Sequence, residues 1–139
     1  MRPTSLIGVL LILISGSASA NPDISMDISR FSAGSSAYID VSIYIVGTSL
    51  AADSLSKGEY GIEYVLMVRD TQDRIVAGNK YKLSRTGFPA LDIFDVKRLA
   101  LVPGNYRVEV EAVDLVDKLS QVTVSQDIVI PSNMSSAYL

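Results

Sequence analysis

Apolar and polar side chains alternate along most of this chain, in short runs separated by turn residues. In the run Tyr38–Val46, four β-branched residues share one face, while tyrosine, aspartate and serine occupy the other. A period of two residues is typical of a strand buried on one side, and β-branched side chains suit that pleated surface. Seven such segments are predicted: Ile24–Phe31, Tyr38–Val46, Glu59–Arg69, Ile75–Leu83, an irregular one around Leu91–Leu101, one within Leu101–Asp114, and Ser120–Ile130.

Seven short strands in succession, with no amphipathic helix between them, predict an all-β fold. We expect a single immunoglobulin-like antiparallel β-sandwich of about seven strands. The long connection Gly47–Gly58 could hold one helical turn, and the lysines on one face of Ile75–Leu83 favour an edge strand. The irregular fifth segment is expected to anchor in the core through Phe94, Val96, Leu99 and Leu101.

The first twenty residues have the features of a secretory signal peptide. Arg2 supplies a positive charge, residues 6–14 form an apolar run of nine residues, and Ala18-Ser19-Ala20 fits a cleavage site. That run is well short of the roughly 20 residues of a membrane-spanning helix, so no transmembrane segment is expected after cleavage. The predicted organisation is a signal peptide over 1–20, a sandwich over 21–131, and an unstructured tail or the start of a missing second domain over 132–139.

Composition excludes several kinds of chemistry. The chain contains neither cysteine nor histidine, so it cannot use a Ser-His-Asp or Cys-His arrangement or a histidine-based zinc site. The formal net charge is −3 and basic residues are scattered, so nucleic acid is not an expected partner. An exported chain without cysteine favours a bacterial periplasm or cell surface. Two-carboxylate hydrolysis and calcium- or magnesium-dependent catalysis remain open to the residues present, but no spacing favours them. We therefore expect a non-enzymatic protein without a cofactor.

Three Asp-x-x-Asp pairs are the remaining candidates for a metal site: Asp70/Asp73, Asp92/Asp95 and Asp114/Asp117. Calcium prefers several oxygen ligands, so a calcium-stabilised sandwich is one alternative. Aspartate side chains also bond to the backbone two residues on, and this turn role is favoured here. If the third and sixth strands are antiparallel neighbours, their C-terminal ends lie at opposite ends of the sandwich. Asp70 and Asp114 then cannot share an ion.

Tyr106 follows a Pro-Gly turn and enters the sixth strand. This position matches the tyrosine corner of immunoglobulin-like sandwiches, in which the tyrosine hydroxyl bonds to backbone a few residues upstream. The expected acceptor is the backbone near Leu101 or Val102. The sequence therefore predicts a structural role for Tyr106, not a catalytic one.

Two sets of residues are candidate contacts for a partner. Val65 and Met67 make the third strand apolar on both faces, so they need cover from neighbouring strands or from a partner. Tyr38 and Tyr44 lie on the polar face of the second strand and could stack on a sugar or a protein. The leading hypothesis is a module that binds another protein or domain, with strand addition at a sheet edge as one possible mode. The alternative is a carbohydrate-binding or adhesin-type module.

Three stretches, "ISMDISRF…AYIDVSIYI", "GEYGIEYVLMVRDTQDRIV" and "LVPGNYRVEVEAVD", resemble the N-terminal immunoglobulin-like region of bacterial GWxTD-domain proteins. The resemblance covers nearly all of Asp23–Ile130 and implies an exported sandwich without catalytic residues. The chain departs from the family because it has no Gly-Trp-x-Thr-Asp motif and no tryptophan. It would then be a stand-alone first domain or a chain that ends before the second.

Overall fold

The computed structural model describes residues 21–53, 55, 57–87 and 89–132. The predicted signal peptide and all but the first residue of the predicted tail lie outside the described residues. The described part forms β1 (Ile24–Ala33), β2 (Ser36–Ile45), β3 (Glu59–Arg69), β4 (Ile75–Thr86), β5 (Ile93–Ala100), β6 (Gly104–Asp114) and β7 (Gln121–Ile130), with a 3₁₀ turn at Gly47–Ser49. The turn lies in the connection where the sequence allowed one. None of the described segments is a helix long and apolar enough to cross a membrane.

The strands form two antiparallel sheets with the orders β1-β2-β5 and β4-β3-β6-β7. The prediction of an all-β sandwich of seven strands is confirmed. Within the described part of the chain β4 pairs only with β3, so it lies at an edge, as its lysines indicated. The chain passes between the sheets after β2, after β4 and after β5.

The core consists of the inward faces of both sheets, and β2, β3 and β6 contribute most of it. Complete burial of an aliphatic side chain stabilises a fold by about 1.5–3 kcal/mol, so these three strands provide much of the driving force. The inward residues predicted for them are buried: Ile39, Val41, Ile43 and Ile45 in β2, Tyr60, Ile62, Tyr64, Leu66 and Val68 in β3, and Tyr106, Val108, Val110 and Ala112 in β6.

The orientation of β5 differs from the prediction. Phe94 and Val96 were expected in the core, but they are 63% and 42% exposed. Ile93 is buried instead and pairs with the buried Ile45, so the odd-numbered residues of β5 face inward. Asp95 and Lys97 lie on this inward face, which is possible because β5 is an edge strand whose long side chains reach the open side of the sandwich.

The first aspartate of each of the three pairs accepts hydrogen bonds from backbone N–H groups. Asp70 accepts from the N–H groups of Gln72 and Arg74 and thereby shapes the β3–β4 turn. β3 and β6 are antiparallel neighbours, so Asp70 and Asp114 do lie at opposite ends. Within the described ranges, no three acidic side chains come together in a way that could hold a metal ion.

Asp114 connects two loops at one end of the sandwich. Its side chain is 1% exposed, and it accepts from the N–H groups of Ala51, Val116 and Asp117 at 2.7, 2.8 and 3.1 Å. One carboxylate oxygen thus shapes the β6–β7 turn, while the other holds the connection that leads from β2 to β3. Because a buried N–H without an acceptor is costly, both oxygens contribute to stability.

We expect Asp114→Asn to lower the free energy of unfolding by about 1–3 kcal/mol. The NH₂ group of the asparagine would replace one of the two carboxylate oxygens. Either the Ala51 N–H or the N–H groups of Val116 and Asp117 would then face a donor instead of an acceptor. Urea unfolding followed by circular dichroism measures the effect, and Glu111→Gln on the exposed face of β6 is the control, expected within about 0.5 kcal/mol of the natural chain. Equal stabilities of the two variants would contradict the role assigned to Asp114.

Candidate functional site: the outer face of the three-stranded sheet

The outer face of the β1-β2-β5 sheet carries Tyr38 and Tyr44, two of the four side chains that the sequence predicted as partner contacts. Strand register arranges its outward residues in four rows across β1, β2 and β5. These rows are Ser25–Tyr44–Phe94, Asp27–Ser42–Val96, Ser29–Asp40–Arg98 and Phe31–Tyr38–Ala100. Tyr38 and Tyr44 therefore share one face, six residues apart on the same strand, which is about 20 Å.

Tyr44, Phe94 and Val96 form what we call the apolar patch. Tyr44 and Phe94 are cross-strand partners, and Val96 is next to Phe94 on the same face. Their exposures are 42%, 63% and 42%. An exposed cluster of large apolar side chains is uncommon on a soluble surface and is typical of interaction sites.

Asp92 fixes the position of Tyr44. The Tyr44 hydroxyl and the Gly47 N–H both donate to the Asp92 carboxylate, the latter at 2.9 Å. The hydrogen bond from Tyr44, followed by that from Gly47, holds the pKa of Asp92 below its ordinary value, and the same contact raises the pKa of the phenol. Only glycine permits this approach, since a Cβ at Gly47 would lie 2.1 Å from the Leu91 carbonyl oxygen.

The opposite end of the face is a closed stack. The rings of Phe31 and Tyr38 are stacked, with centroids 5.5 Å apart and planes inclined by 17°. The Arg98 guanidinium lies 4.4 Å from the Phe31 centroid and makes two hydrogen bonds to Asp40, at 2.9 and 3.0 Å. These bonds hold the pKa of Asp40 below its usual value. The Phe31 ring is thus partly covered by Tyr38 and Arg98. The apolar patch at the other end of the face is the more accessible surface.

Val65 and Met67 lie on the outer face of the other sheet, where the chain itself supplies much of their cover. Met67 is only 9% exposed, because the Arg69 guanidinium reaches its sulfur at 3.8 Å. Arg69 is held in place by Glu109, with Nε 3.4 Å from the carboxylate. Val65 is half-buried. The need for a partner at these two residues is therefore much smaller than their apolar character indicated.

A polar cluster lies between the sheets on the side of β4 and β5. The Tyr64 hydroxyl donates to Asp95 at 2.5 Å, and the Lys97 ammonium lies 3.4 Å from the same carboxylate. Lys97 is also 4.2 Å from the Tyr81 ring centroid, and the rings of Tyr64 and Tyr81 are 5.1 Å apart. Burial and then the bond to Asp95 raise the pKa of Tyr64. The buried phenol is therefore a hydrogen-bond donor to the carboxylate and remains protonated at neutral pH.

Tyr106 makes the backbone contact that its position indicated. Its hydroxyl donates to the Val102 carbonyl oxygen at 2.6 Å, and burial raises its pKa. The tyrosine thereby bridges the passage from β5 to β6. A groove of about 540 Å³ lies beside it, and its charged lining includes the ion pair between Arg107 and Asp127 at 3.2 Å. The lining carries both signs of charge, with Arg69 and Arg107 against Asp70, Asp73 and Asp127, so it is not a uniformly charged surface.

No protein-family model matches the chain, and no curated protein matches it in sequence. Among solved structures, a protein of Bordetella pertussis that bears the name ApaA is a distant neighbour. It has a TM-score of 0.46 and 9% identity over 81% of this chain and 96% of that chain. Nothing about function follows from a similarity at this level.

The raised pKa of Tyr64 predicts a loss of stability in alkali. A phenol whose pKa is higher in the folded than in the unfolded protein stabilises the fold fully below its unfolded value of about 10, and this contribution is lost as the pH rises beyond it. Tyr64→Phe should show a smaller loss between pH 7 and pH 10.5, and should be less stable at pH 7 by about 1.5–3 kcal/mol. Urea unfolding at both pH values checks this; an alkaline loss as large as that of Tyr38→Phe would contradict it.

The hydroxyl of Tyr106 can be tested in the same way at neutral pH. Tyr106→Phe removes one bond to a carbonyl and should lower the free energy of unfolding by about 0.5–1.5 kcal/mol. Tyr38→Phe is the matched control, since no described group bonds its hydroxyl, and it should be nearly neutral. Equal urea midpoints for the two variants would show that the bridge contributes nothing.

Proposed function

We propose that the protein is an exported, non-enzymatic β-sandwich module that binds another protein or domain through the outer face of its three-stranded sheet. The observation that carries this proposal is the apolar patch, Tyr44, Phe94 and Val96. Burying its exposed apolar area against a partner is favourable at about 25 cal/mol per Å². Tyr and Phe are also enriched in interfaces.

The surroundings of the patch support protein binding. Tyr44 is bound at its tip by Asp92, so its ring loses little freedom when a partner arrives. The Asp40–Arg98 pair lies beside the patch and supplies a charged border, in which two hydrogen bonds hold the guanidinium against the carboxylate. An apolar centre with a polar surround is the usual anatomy of an interface.

The non-enzymatic part of the proposal is supported by the state of the tyrosine hydroxyls. The hydroxyls of Tyr44, Tyr64 and Tyr106 all donate to acceptors within the chain, and their pKa values are raised. Such phenols are poor bases and nucleophiles at neutral pH. The sequence has no histidine or cysteine that could replace them.

Export is supported by the sequence of residues 1–20 and by the resemblance to the exported GWxTD-domain proteins. Both point to a bacterial periplasm or cell surface. On this proposal the module meets its partner outside the cytoplasm.

Site-specific photo-crosslinking tests the proposed face. A photoreactive phenylalanine analogue is placed at Phe94 in the full chain, and in a control variant at Val129, which is 53% exposed on the other sheet. We expect the Phe94 probe to form a specific adduct in the producing cells, and the Val129 probe to form none. Competition by excess unlabelled chain, but not by a Tyr44→Ser/Phe94→Ser variant, would identify the patch as the contact.

Equal adducts at both positions, or none at Phe94, would refute a binding role for this face. Secretion is tested in the same cells by locating the chain in the periplasmic and medium fractions. Retention of an uncleaved chain in the cytoplasm would contradict the export part alone.

Carbohydrate binding is a second candidate, because Tyr38 and Tyr44 share one exposed face with hydroxyl and carboxylate groups between them. A separation of about 20 Å would suit an oligosaccharide rather than a single sugar. If this function is correct, a glycan pull-down should retain the natural chain, and Tyr38→Ala/Tyr44→Ala should lose it. The absence of any saturable glycan binding by the natural chain would eliminate this candidate and leave the protein partner.

A further inference from the structure

The free edge of β5 is the strand edge best suited to pairing. Among the described strands β5 pairs with β2 alone, and the Val96 N–H donates to the preceding side chain, Asp95 Oδ1, at 3.0 Å. The Leu101 N–H donates to the Ala37 carbonyl oxygen at 3.0 Å, so the odd-numbered residues of β5 form the hydrogen-bonded pairs with β2. The backbone groups of the even-numbered residues, Val96 among them, therefore point to the unpaired side. We propose that this edge pairs with the β5 edge of a second copy of the chain, antiparallel, with Val96 on the two-fold axis. The inference does not depend on the proposed function.

Symmetry and side-chain direction restrict the register. When two β5 strands continue one sheet about a two-fold axis, outward residues must lie opposite outward residues. One residue of β5 therefore faces its own copy across the axis, and we name each register by that residue. An axis at Asp95 places two carboxylates opposite each other, and an axis at Lys97 places two ammonium groups opposite each other. Like charges in directly opposed positions are destabilising.

An axis at Val96 makes every charged pair near the centre favourable. It places Asp95 opposite Lys97 of the second copy, twice, on the inward side of the sheet. On the outer side it places Phe94 opposite Arg98 of the second copy, which repeats a contact that Arg98 already makes with Phe31. Among the central registers, this is the one in which charge and aromatic groups are complementary.

Pairing exchanges existing contacts for equivalent ones. In the single chain, Asp95 covers the Val96 N–H and lies 3.4 Å from its own Lys97. In the pair, the N–H donates to the Val96 carbonyl of the second copy, and Asp95 gains Lys97 of the second copy. The net gain comes from covering part of the exposed Phe94 and Val96 side chains. The association is therefore expected to be reversible.

The other sheet edges are less suitable. β4 has its own cap, the Lys80 N–H bonded to Asn79 at 2.8 Å, but its charged residues Lys80, Lys82 and Arg85 are all positive, so self-pairing opposes like charges. β1 and β7 adjoin each other, and Arg30 of β1 donates to the Val129 carbonyl of β7 at 2.7 Å. Among the described strands, β5 alone has an open edge with complementary charges.

Charge reversal tests the register in solution. Asp95→Lys and Lys97→Asp each place like charges in opposition and should weaken self-association about tenfold or more in sedimentation equilibrium. An equimolar mixture should regain it, because both lysines of the Asp95→Lys chain then face both aspartates of the Lys97→Asp chain. Monomeric natural chain at every concentration, or a mixture no better than the single variants, would overturn the proposal.

A cysteine trap keeps the test valid if a charge variant fails to fold. The chain contains no cysteine, so Val96→Cys introduces one thiol per chain. Two residues that form a hydrogen-bonded antiparallel pair have Cα atoms about 5.5 Å apart, within the range of a disulfide. Mild oxidation should join Val96→Cys chains into covalent dimers much faster than Val129→Cys chains. Equal rates, or no dimer from Val96→Cys, would overturn the proposal.

The photo-crosslinking experiment with the probe at Phe94 gives a further readout. An adduct of twice the chain's mass supports the self-pairing and is distinguishable by mass from an adduct with another partner.

Discussion

The hydrogen bond from the buried Tyr64 hydroxyl to Asp95 connects the two sheets on the side of β4 and β5, which are edge strands among the strands that the structure describes. Asp95 and Lys97 are charged residues on the inward face of β5, a position that is costly without partners. Tyr64 and the Tyr81 ring supply those partners from β3 and β4. Because this contact is satisfied, β5 can place its charges inward and its apolar residues, Phe94 and Val96, in solvent.

Most of the core could be predicted from alternation, whereas the orientation of β5 could not. In β2, β3 and β6 one face is uniformly apolar, so the parity of the inward residues is unambiguous. In β5 the apolar residues Ile93 and Leu99 have odd numbers, while Phe94 and Val96 have even numbers, so local patterning permits both orientations. The register with β2, which opposes Ile93 to Ile45, decides between them, and register is a property of the whole sheet. The cover of Met67 was unpredictable for a similar reason, since Glu109, which positions Arg69, comes from another strand.

The aspartates show how local chemistry and long-range contacts combine in a chain without disulfides. The first aspartate of each Asp-x-x-Asp pair accepts backbone N–H groups. Asp70 does so within its own turn, as turn propensity predicted. Asp92 and Asp114 also reach Gly47 and Ala51, at the two ends of one short segment after β2. Two carboxylates from distant parts of the chain therefore hold the passage from one sheet to the other, and Asp92 simultaneously orients Tyr44 on the outer face.

The same charges that orient β5 also limit what can be added to it. An exposed strand edge is normally an aggregation hazard, because any extended segment can pair with it. Here the Asp95 side chain accepts the hydrogen bond of the Val96 N–H, so a strand that pairs with this edge displaces the carboxylate. That strand must then supply a cation to which the carboxylate can bind. A second β5 offers a lysine in the matching position. Pairing about a two-fold axis then uses the open edge of both copies, and the opposite edge, β1, is already engaged with β7 through Arg30. The assembly would therefore close at two chains rather than grow, and it would bring two apolar patches onto one continuous face.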